Sequence, residues 1–186
     1  MPMVMPTMDA SNIVRGLSSY SRSPRDGEAD AFELGAVIEN SLKMARHSAP
    51  LSSIRIVSQL HKDCFINAGK GEIQQVFINL IINAIHAMGD SGRLTLRCWK
   101  EDDSVKASVE DTGCGIKEAD LGNIFDPFFT TKPVGEGTGL GLYVAYGIVT
   151  RHRGVIDVES KEGKGTAFTL KFPASADADI SAVVGK

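Results

Sequence analysis

Residues 71–88 read GEIQQVFINLIINAIHAM, and the spacing of apolar and polar side chains in this stretch decides the fold. At about 100° per residue, Glu72, Gln75, Asn79, Asn83 and His86 fall in one narrow arc. Val76, Phe77, Ile78, Leu80, Ile81, Ile82, Ala84, Ile85, Ala87 and Met88 fill nearly all the rest. A helix this apolar is buried on most sides, and Gly89 stops it. Exposed helix faces carry Lys and Glu; amides in a helix this apolar need hydrogen-bond partners, and Asn is a poor helix former. The seam therefore predicts the lining of a site. Asn79 and Asn83 stand one helical turn apart, so their side-chain oxygens can converge on one hard cation or polar ligand. The alternative is that both amides serve as caps or bond to neighbouring loops.

Working outward, residues 32–47 place Leu34, Val37, Ile38, Ser41, Leu42 and Ala45 on one face of an amphipathic helix that ends before Pro50. Two β-prone runs follow at 54–60 and 64–67, joined by a polar turn. Beyond the central helix, 93–100 and 104–111 predict a hairpin around Asp102 and Asp103, 142–151 a helix, and 154–160 and 165–172 two closing strands. Ile13, Val14, Leu17 and Tyr20 recur at helical spacing ahead of a Ser-, Pro- and charge-rich linker over 21–30. The expected class is α+β: a two-layer α/β sandwich, with a mixed, mostly antiparallel sheet of about five strands covered on one face by three helices.

The chain has 186 residues, 42% hydrophobic and 23% charged, with a net charge of −3. That composition belongs to a folded globular protein. Basic residues are scattered, which disfavours nucleic acid or an anionic membrane as partner. No run reaches the ~18 apolar residues a spanning helix needs, and the start lacks the regions of a secretory signal. No direct membrane contact is expected of this stretch. Cys64, Cys98 and Cys114 are widely spaced, without zinc or redox motif, and read as reduced cytosolic thiols.

Val105, Ala107 and Val109 share one face of the strand 104–111, and Asp111 continues their parity, so its carboxylate points inward. An inward carboxylate costs several kcal/mol unless hydrogen-bonded, and Gly113 and Gly115 allow a flat or bulky group to come close. A base with an exocyclic amino group suits that acceptor; capping of the turn 112–115 explains Asp111 equally well. Gly135, Gly137, Gly139 and Gly141 lead into a helix N-terminus, an arrangement favourable to anions, yet they match neither the P-loop nor the Rossmann spacing. FDPFFTTK, 125–132, sets aromatic rings beside Thr130, Thr131 and Lys132, which suits a lid or docking surface unless the rings simply pack into the core.

In this order, the features resemble the ATP-binding catalytic domain of sensor histidine kinases, within the superfamily that includes DNA gyrase, the Hsp90 chaperones and the MutL repair proteins. The resemblance covers residues 32–173. QQVFINLIINAIHAM, 74–88, is similar to the N box and DTGCGI, 111–116, to the first glycine box. FDPFFTTK resembles the F box, GEGTGLGL, 135–142, the second glycine box, and GKGT, 163–166, a third. The wording around NAIHAM and DPFFTTKPVGEGTGLGL resembles the nitrogen-regulatory type most.

This resemblance implies ATP and Mg²⁺ as cofactors. Asn79 and Asn83 would hold the metal and, with Lys132 at the lid entrance, serve catalysis; Asp111 would accept a hydrogen bond from the adenine amino group. Gly113, Gly115 and Ile116 would shape the adenine pocket, Gly137, Thr138, Gly139, Leu140, Gly141 and Leu142 the phosphate loop and lid, and Thr166 the adenine end. His86 stands where many relatives carry Lys, and an ordinary imidazole is mostly uncharged at neutral pH. The γ-phosphoryl would pass to a histidine on a dimerisation domain of the same protein, and then to an aspartate of a response regulator receiver domain.

None of His47, His61, His86 and His152 is followed by the acidic residue and downstream Pro-Leu of the phosphoacceptor motif. The nucleophile is therefore expected elsewhere. Residues 1–31 are read as a remnant of the second dimerisation helix and a linker, 32–173 as the ATP-binding domain and 174–186 as a flexible tail, in a cytoplasmic setting that leaves membrane anchorage of the intact protein open. The alternatives are an anti-sigma-factor-type serine kinase, a superfamily ATPase, or a nucleotide-binding module without catalysis. The ATPases commonly carry at the position of Asn79 a glutamate that activates water; an amide cannot be that base, which favours phosphoryl transfer.

Overall fold

The structure, a computed structural model, describes residues 30–48, 53–133 and 137–175. The helix and linker expected before residue 30, Gly135 of the second glycine box, and the tail beyond residue 175 lie outside the described residues. Among the described residues there are seven strands and three helices.

The apolar periods of the sequence become three helices: α1 (Leu34–Ser48), α2 (Lys70–Met88) and α3 (Gly141–Arg151). On α2, Ile73, Val76, Phe77, Leu80, Ile81, Ala84, Ile85 and Met88 are buried. The helix ends at Gly89, whose positive φ of 62° lets its N–H reach the Ile85 carbonyl at 3.1 Å.

The strands are β1 (Asp30–Glu33), β2 (Ile54–Leu60), β3 (Phe65–Ala68), β4 (Gly92–Glu101), β5 (Ser104–Asp111), β6 (Val155–Lys161) and β7 (Gly165–Pro173). The larger sheet has five strands in the order β2-β4-β5-β7-β6; β2 lies parallel to β4 and every other pairing is antiparallel. Leu94, Leu96 and Cys98 of β4, Val105, Ala107 and Val109 of β5, and Phe168, Leu170 and Phe172 of β7 supply the buried face beneath the helices. The α+β class, the mixed sheet of five strands and the three helices thus stand as expected.

Two local expectations fail. Residues 32 and 33 are not helical: Phe32 pairs with Ile66 in a separate two-stranded antiparallel sheet of β1 and β3, where both side chains are buried. The first strand thus begins at Asp30, two residues before the anticipated domain boundary. Nor do β2 and β3 form one hairpin. β3 turns to β1, and α2 then carries the chain back to lay β4 parallel to β2, a connection too long for any hairpin turn.

Candidate functional site

Asp111 closes β5 with 5% of its surface exposed, and the inward parity expected of it holds. Its Oδ1 accepts the Gly113 N–H at 2.8 Å, and the Thr166 main-chain N–H also donates to the carboxylate. Burial pushes its pKa up, while these two donors pull it back. Asp111 therefore does cap its turn, yet it remains a buried carboxylate at a sheet end, with acceptor capacity beyond these two bonds.

The first glycine loop is fastened on both sides. Cys114 N–H donates to the Ala87 carbonyl at 2.9 Å, one turn beyond Asn83 on α2, and a Cβ on Gly113 would stand 2.5 Å from that same carbonyl group. Gly115 has a φ of 69°, and a side chain there would collide with the Lys161 carbonyl. Ile116 N–H donates to Ser160 Oγ at 2.8 Å, and Ser160 Oγ lies 2.9 Å from Thr166 Oγ1. A cavity of about 350 Å³ opens at this end of the sheet, lined by Asp111, Ser160, Lys161, Lys164, Gly165 and Thr166 among others, with no residue of α2 in its wall.

The polar seam of α2 divides its labour. Glu72 does not line the site: its carboxylate meets Arg151 at 2.5 Å and His152 at 2.6 Å, fastening the start of α2 to the end of α3. Asn79 donates to the Gly141 carbonyl at 3.0 Å. A Cβ on Gly141 would stand 3.8 Å from Asn79 and 4.0 Å from the Asn83 amide, so both amides converge on the first turn of α3. That turn has no side-chain cap, and its unpaired N–H groups make a place for an anion. His86, at the exposed end of the seam, lies 2.8 Å from Lys132 Nζ.

The described parts of the segment between β5 and α3, residues 112–133 and 137–140, are held to each other. Phe128 N–H donates to the Gly139 carbonyl at 3.0 Å, and Gly139, with φ 65°, has no room for a side chain against the Phe128 backbone. Gly137 lies against Thr130 and the Lys132 stem, and Thr138 Oγ1 accepts the Leu140 N–H at 3.4 Å. Phe125 and Phe129 pack against the core, Phe125 tilted over Tyr146 at 5.1 Å, and Leu142 joins them. Phe128 does not: it is 65% exposed at a φ of 67°.

Two neighbourhoods thus form. Asp111, Gly113, Gly115, Ile116 and Thr166 gather at the sheet end; Asn79, Asn83, Gly141, His86 and Lys132 gather along α2. The bond from Cys114 to Ala87 joins them. Sequence reasoning missed Ser160, although Ile156, Val158 and Ser160 share the inward parity of β6 just as Val109 and Asp111 share that of β5. Among the described residues no group of three or more His, Cys, Asp or Glu could hold a metal, and no helix is long and apolar enough to cross a membrane.

Residues 69–176 match the family described as histidine kinase-, DNA gyrase B-, and HSP90-like ATPase. The signal transduction histidine-protein kinase AtoS of Escherichia coli (strain K12) is 36% identical over 173 residues, 91% of this chain and 28% of AtoS. Sporulation kinase A of Bacillus subtilis (strain 168) is 44% identical over 162 residues, 87% of this chain and 26% of that protein. The chain therefore spans only about a quarter of the length of these relatives. Among solved structures, the catalytic domain of the histidine kinase ThkA superposes with a TM-score of 0.70 at 32% identity, covering 78% of this chain and 95% of that one.

Proposed function

Because the chain belongs to the histidine kinase-, DNA gyrase B-, and HSP90-like ATPase family, we propose that it is the ATP-binding catalytic part of a sensor histidine kinase. It works in the cytoplasm on MgATP and passes the γ-phosphoryl to a histidine on a dimerisation domain of the same protein. An aspartate of a response regulator receiver domain then takes the phosphoryl from that histidine. The observation that supports this reading is the Cys114–Ala87 bond, which ties the loop after the buried Asp111 to α2, the helix whose Asn79 and Asn83 converge on the uncapped start of α3.

In this assignment Asp111 accepts the adenine amino hydrogen, with Thr166 beside it and Gly113, Gly115 and Ile116 forming the wall against the base. The N–H groups at the start of α3, with Gly137, Thr138, Gly139, Leu140 and Leu142 around them, receive the phosphates. Lys132 and His86 flank the entrance. Asn83 and Oδ1 of Asn79 are hard oxygen donors of the kind Mg²⁺ accepts in small number alongside phosphate oxygens; when bound, the metal neutralises charge on the transferring phosphoryl group. No carboxylate stands where a water-activating base would be needed on α2, since Glu72 is spent on Arg151 and His152. This supports transfer over hydrolysis.

The test supplies a separate dimerisation domain with labelled ATP. Acid-labile phosphate on that domain is expected. Acid-stable phosphate would favour a serine kinase, and release of inorganic phosphate alone an ATPase.

A further inference from the structure

We infer that the outer face of the five-stranded sheet carries a binding site for a phosphate-type dianion, separate from the nucleotide reading and not dependent on it. Leu94, Leu96 and Cys98 turn one face of β4 to the helices, so Arg93, Thr95 and Arg97 turn to the other. β2 runs parallel beside β4, with Arg55 opposite Arg93, Val57 opposite Thr95 and Gln59 opposite Arg97. These six side chains, with Glu110 of β5, line a cavity of about 280 Å³.

The polar groups of this cavity are left with unused donors. Adjacent strands lie about 4.8 Å apart, and like charges directly opposite each other destabilise a sheet. Arg55 and Arg93 are such a pair, and neither guanidinium has a hydrogen-bond or ion-pair partner among the described residues. Glu110, the one carboxylate in the wall, is taken by Arg97 at 3.0 Å. Gln59 Oε1 accepts the Arg97 Nε–H at 2.9 Å, which leaves the Gln59 amide hydrogens to donate elsewhere. Thr95, between Arg93 and Arg97 on β4, is only 4% exposed, yet its hydroxyl has no hydrogen bond among the described residues. A buried hydroxyl without a partner is costly, and this one lines the cavity.

The donor set selects the ligand. Three guanidinium groups against one carboxylate leave two positive charges around the cavity, which a dianion neutralises. Each guanidinium grips two oxygens at once, and two of them with a hydroxyl and an amide suit the three free oxygens of a phosphate monoester. A carboxylate, with two oxygens, would leave donors idle. The anion sits on the Arg55 and Arg93 side, since Glu110 repels it from the other. Its binding also relieves the repulsion between the two facing arginines.

The test is an NMR titration of the ¹⁵N-labelled full chain with inorganic phosphate at constant ionic strength, with sodium chloride as reference. It is repeated on Arg55→Gln, Arg93→Gln, Arg93→Lys and Thr95→Val, and each protein is melted in phosphate-free buffer. Saturable shifts are expected at the side-chain Nε–H of Arg55 and Arg93 and at the amides of Val57 and Thr95. Each Gln variant should weaken binding about tenfold through loss of a charge-assisted fork. Arg93→Lys keeps the charge without the fork, and Thr95→Val removes the hydroxyl at equal shape; each should weaken binding several-fold. Without phosphate, Arg55→Gln should melt no lower than the unaltered chain, whereas a merely structural arginine would cost stability. A phosphoserine peptide and its unmodified form are titrated in parallel. Saturation by inorganic phosphate alone assigns the site to a free ion, and saturation by the phosphopeptide as well to a phosphate carried on a larger molecule; both support the inference. Shifts confined to the start of α3, a response matched by chloride, or equal affinity in the Gln variants would overturn it.

Discussion

The side-chain amide of Asn79 donates to the main-chain carbonyl of Gly141 across 3.0 Å, joining the middle of α2 to the first turn of α3. Asn83, one turn further along, is half-buried, and its side chain has no corresponding bond among the described residues. The two amides should therefore respond differently to truncation. Asn79→Ala is expected to lower unfolding stability by about 1 kcal/mol and to weaken nucleotide binding with it. Asn83→Ala should leave ligand-free stability unchanged or slightly raised, since Ala favours the helix, yet remove the Mg²⁺-dependent part of ATP affinity. Thermal melts and titrations with and without Mg²⁺ decide; equal stability losses, or full MgATP affinity in the Asn83 variant, would contradict the division.

Gly115 and Gly163 share a left-handed backbone, with φ of 69° and 74°, but only Gly115 lies against other atoms. A side chain there would run into the Lys161 carbonyl, whereas one on Gly163 meets open space. Gly163→Ala should cost about 1 kcal/mol of backbone strain and leave nucleotide affinity intact. Gly115→Ala must push the β6–β7 turn away from the first glycine loop; a loss of about 3 kcal/mol and abolished binding are expected. Chemical unfolding and titration of the pair measure both, and similar behaviour of the two variants would refute the close approach as the reason for glycine.

Asp111 gives a pH dependence of definite sign. Burial raises the pKa of its carboxyl above the ordinary aspartate range, opposed by the N–H groups of Gly113 and Thr166. Between the unfolded value and the raised folded value, the native chain holds a proton that the unfolded chain has lost. The corresponding stability is fully present below the unfolded pKa and disappears as pH rises through the folded one. Denaturant unfolding across mildly acidic pH should show that decline in the ligand-free protein and lack it in Asp111→Asn. Nucleotide affinity should move the other way, falling as acid protonates the acceptor. A decline of equal slope in both proteins would assign it to other carboxylates.

The sequence disclosed the elements whose periodicity is dictated by burial on a single face. The α2 seam, the β4–β5 and β6–β7 hairpins and the inward parity of Asp111 could all be read because the core imposes them. It hid what depends on long-range pairing. Residues 32 and 33 look like the start of α1 until Phe32 finds Ile66, and nothing local announces that β2 will lie parallel to β4. In the same way Glu72 shares an arc with Asn79 and Asn83, but only the arrival of Arg151 and His152 from α3 removes it from the site. Ser160 was legible by the parity that exposed Asp111; a serine near a turn carries less apparent cost than a buried carboxylate, so its register went unused.

The three thiols should separate cleanly by reactivity. Cys64 and Cys98 are buried, and burial raises the pKa of both, Cys98 further lifted by its neighbour Cys64. Cys114 is exposed, in the glycine loop that touches α2 and abuts the proposed base site. A thiol reagent should thus modify one cysteine rapidly in the native protein and the other two only on unfolding. Because Cys114 sits between Gly113 and Gly115, saturating MgATP should slow its modification several-fold, and Cys114→Ser should abolish the rapid phase without altering the slow one. Peptide mapping after timed alkylation identifies the site. Rapid labelling of Cys64 or Cys98, or a Cys114 rate indifferent to MgATP, would mean that either the burial or the proposed proximity to the nucleotide is wrong.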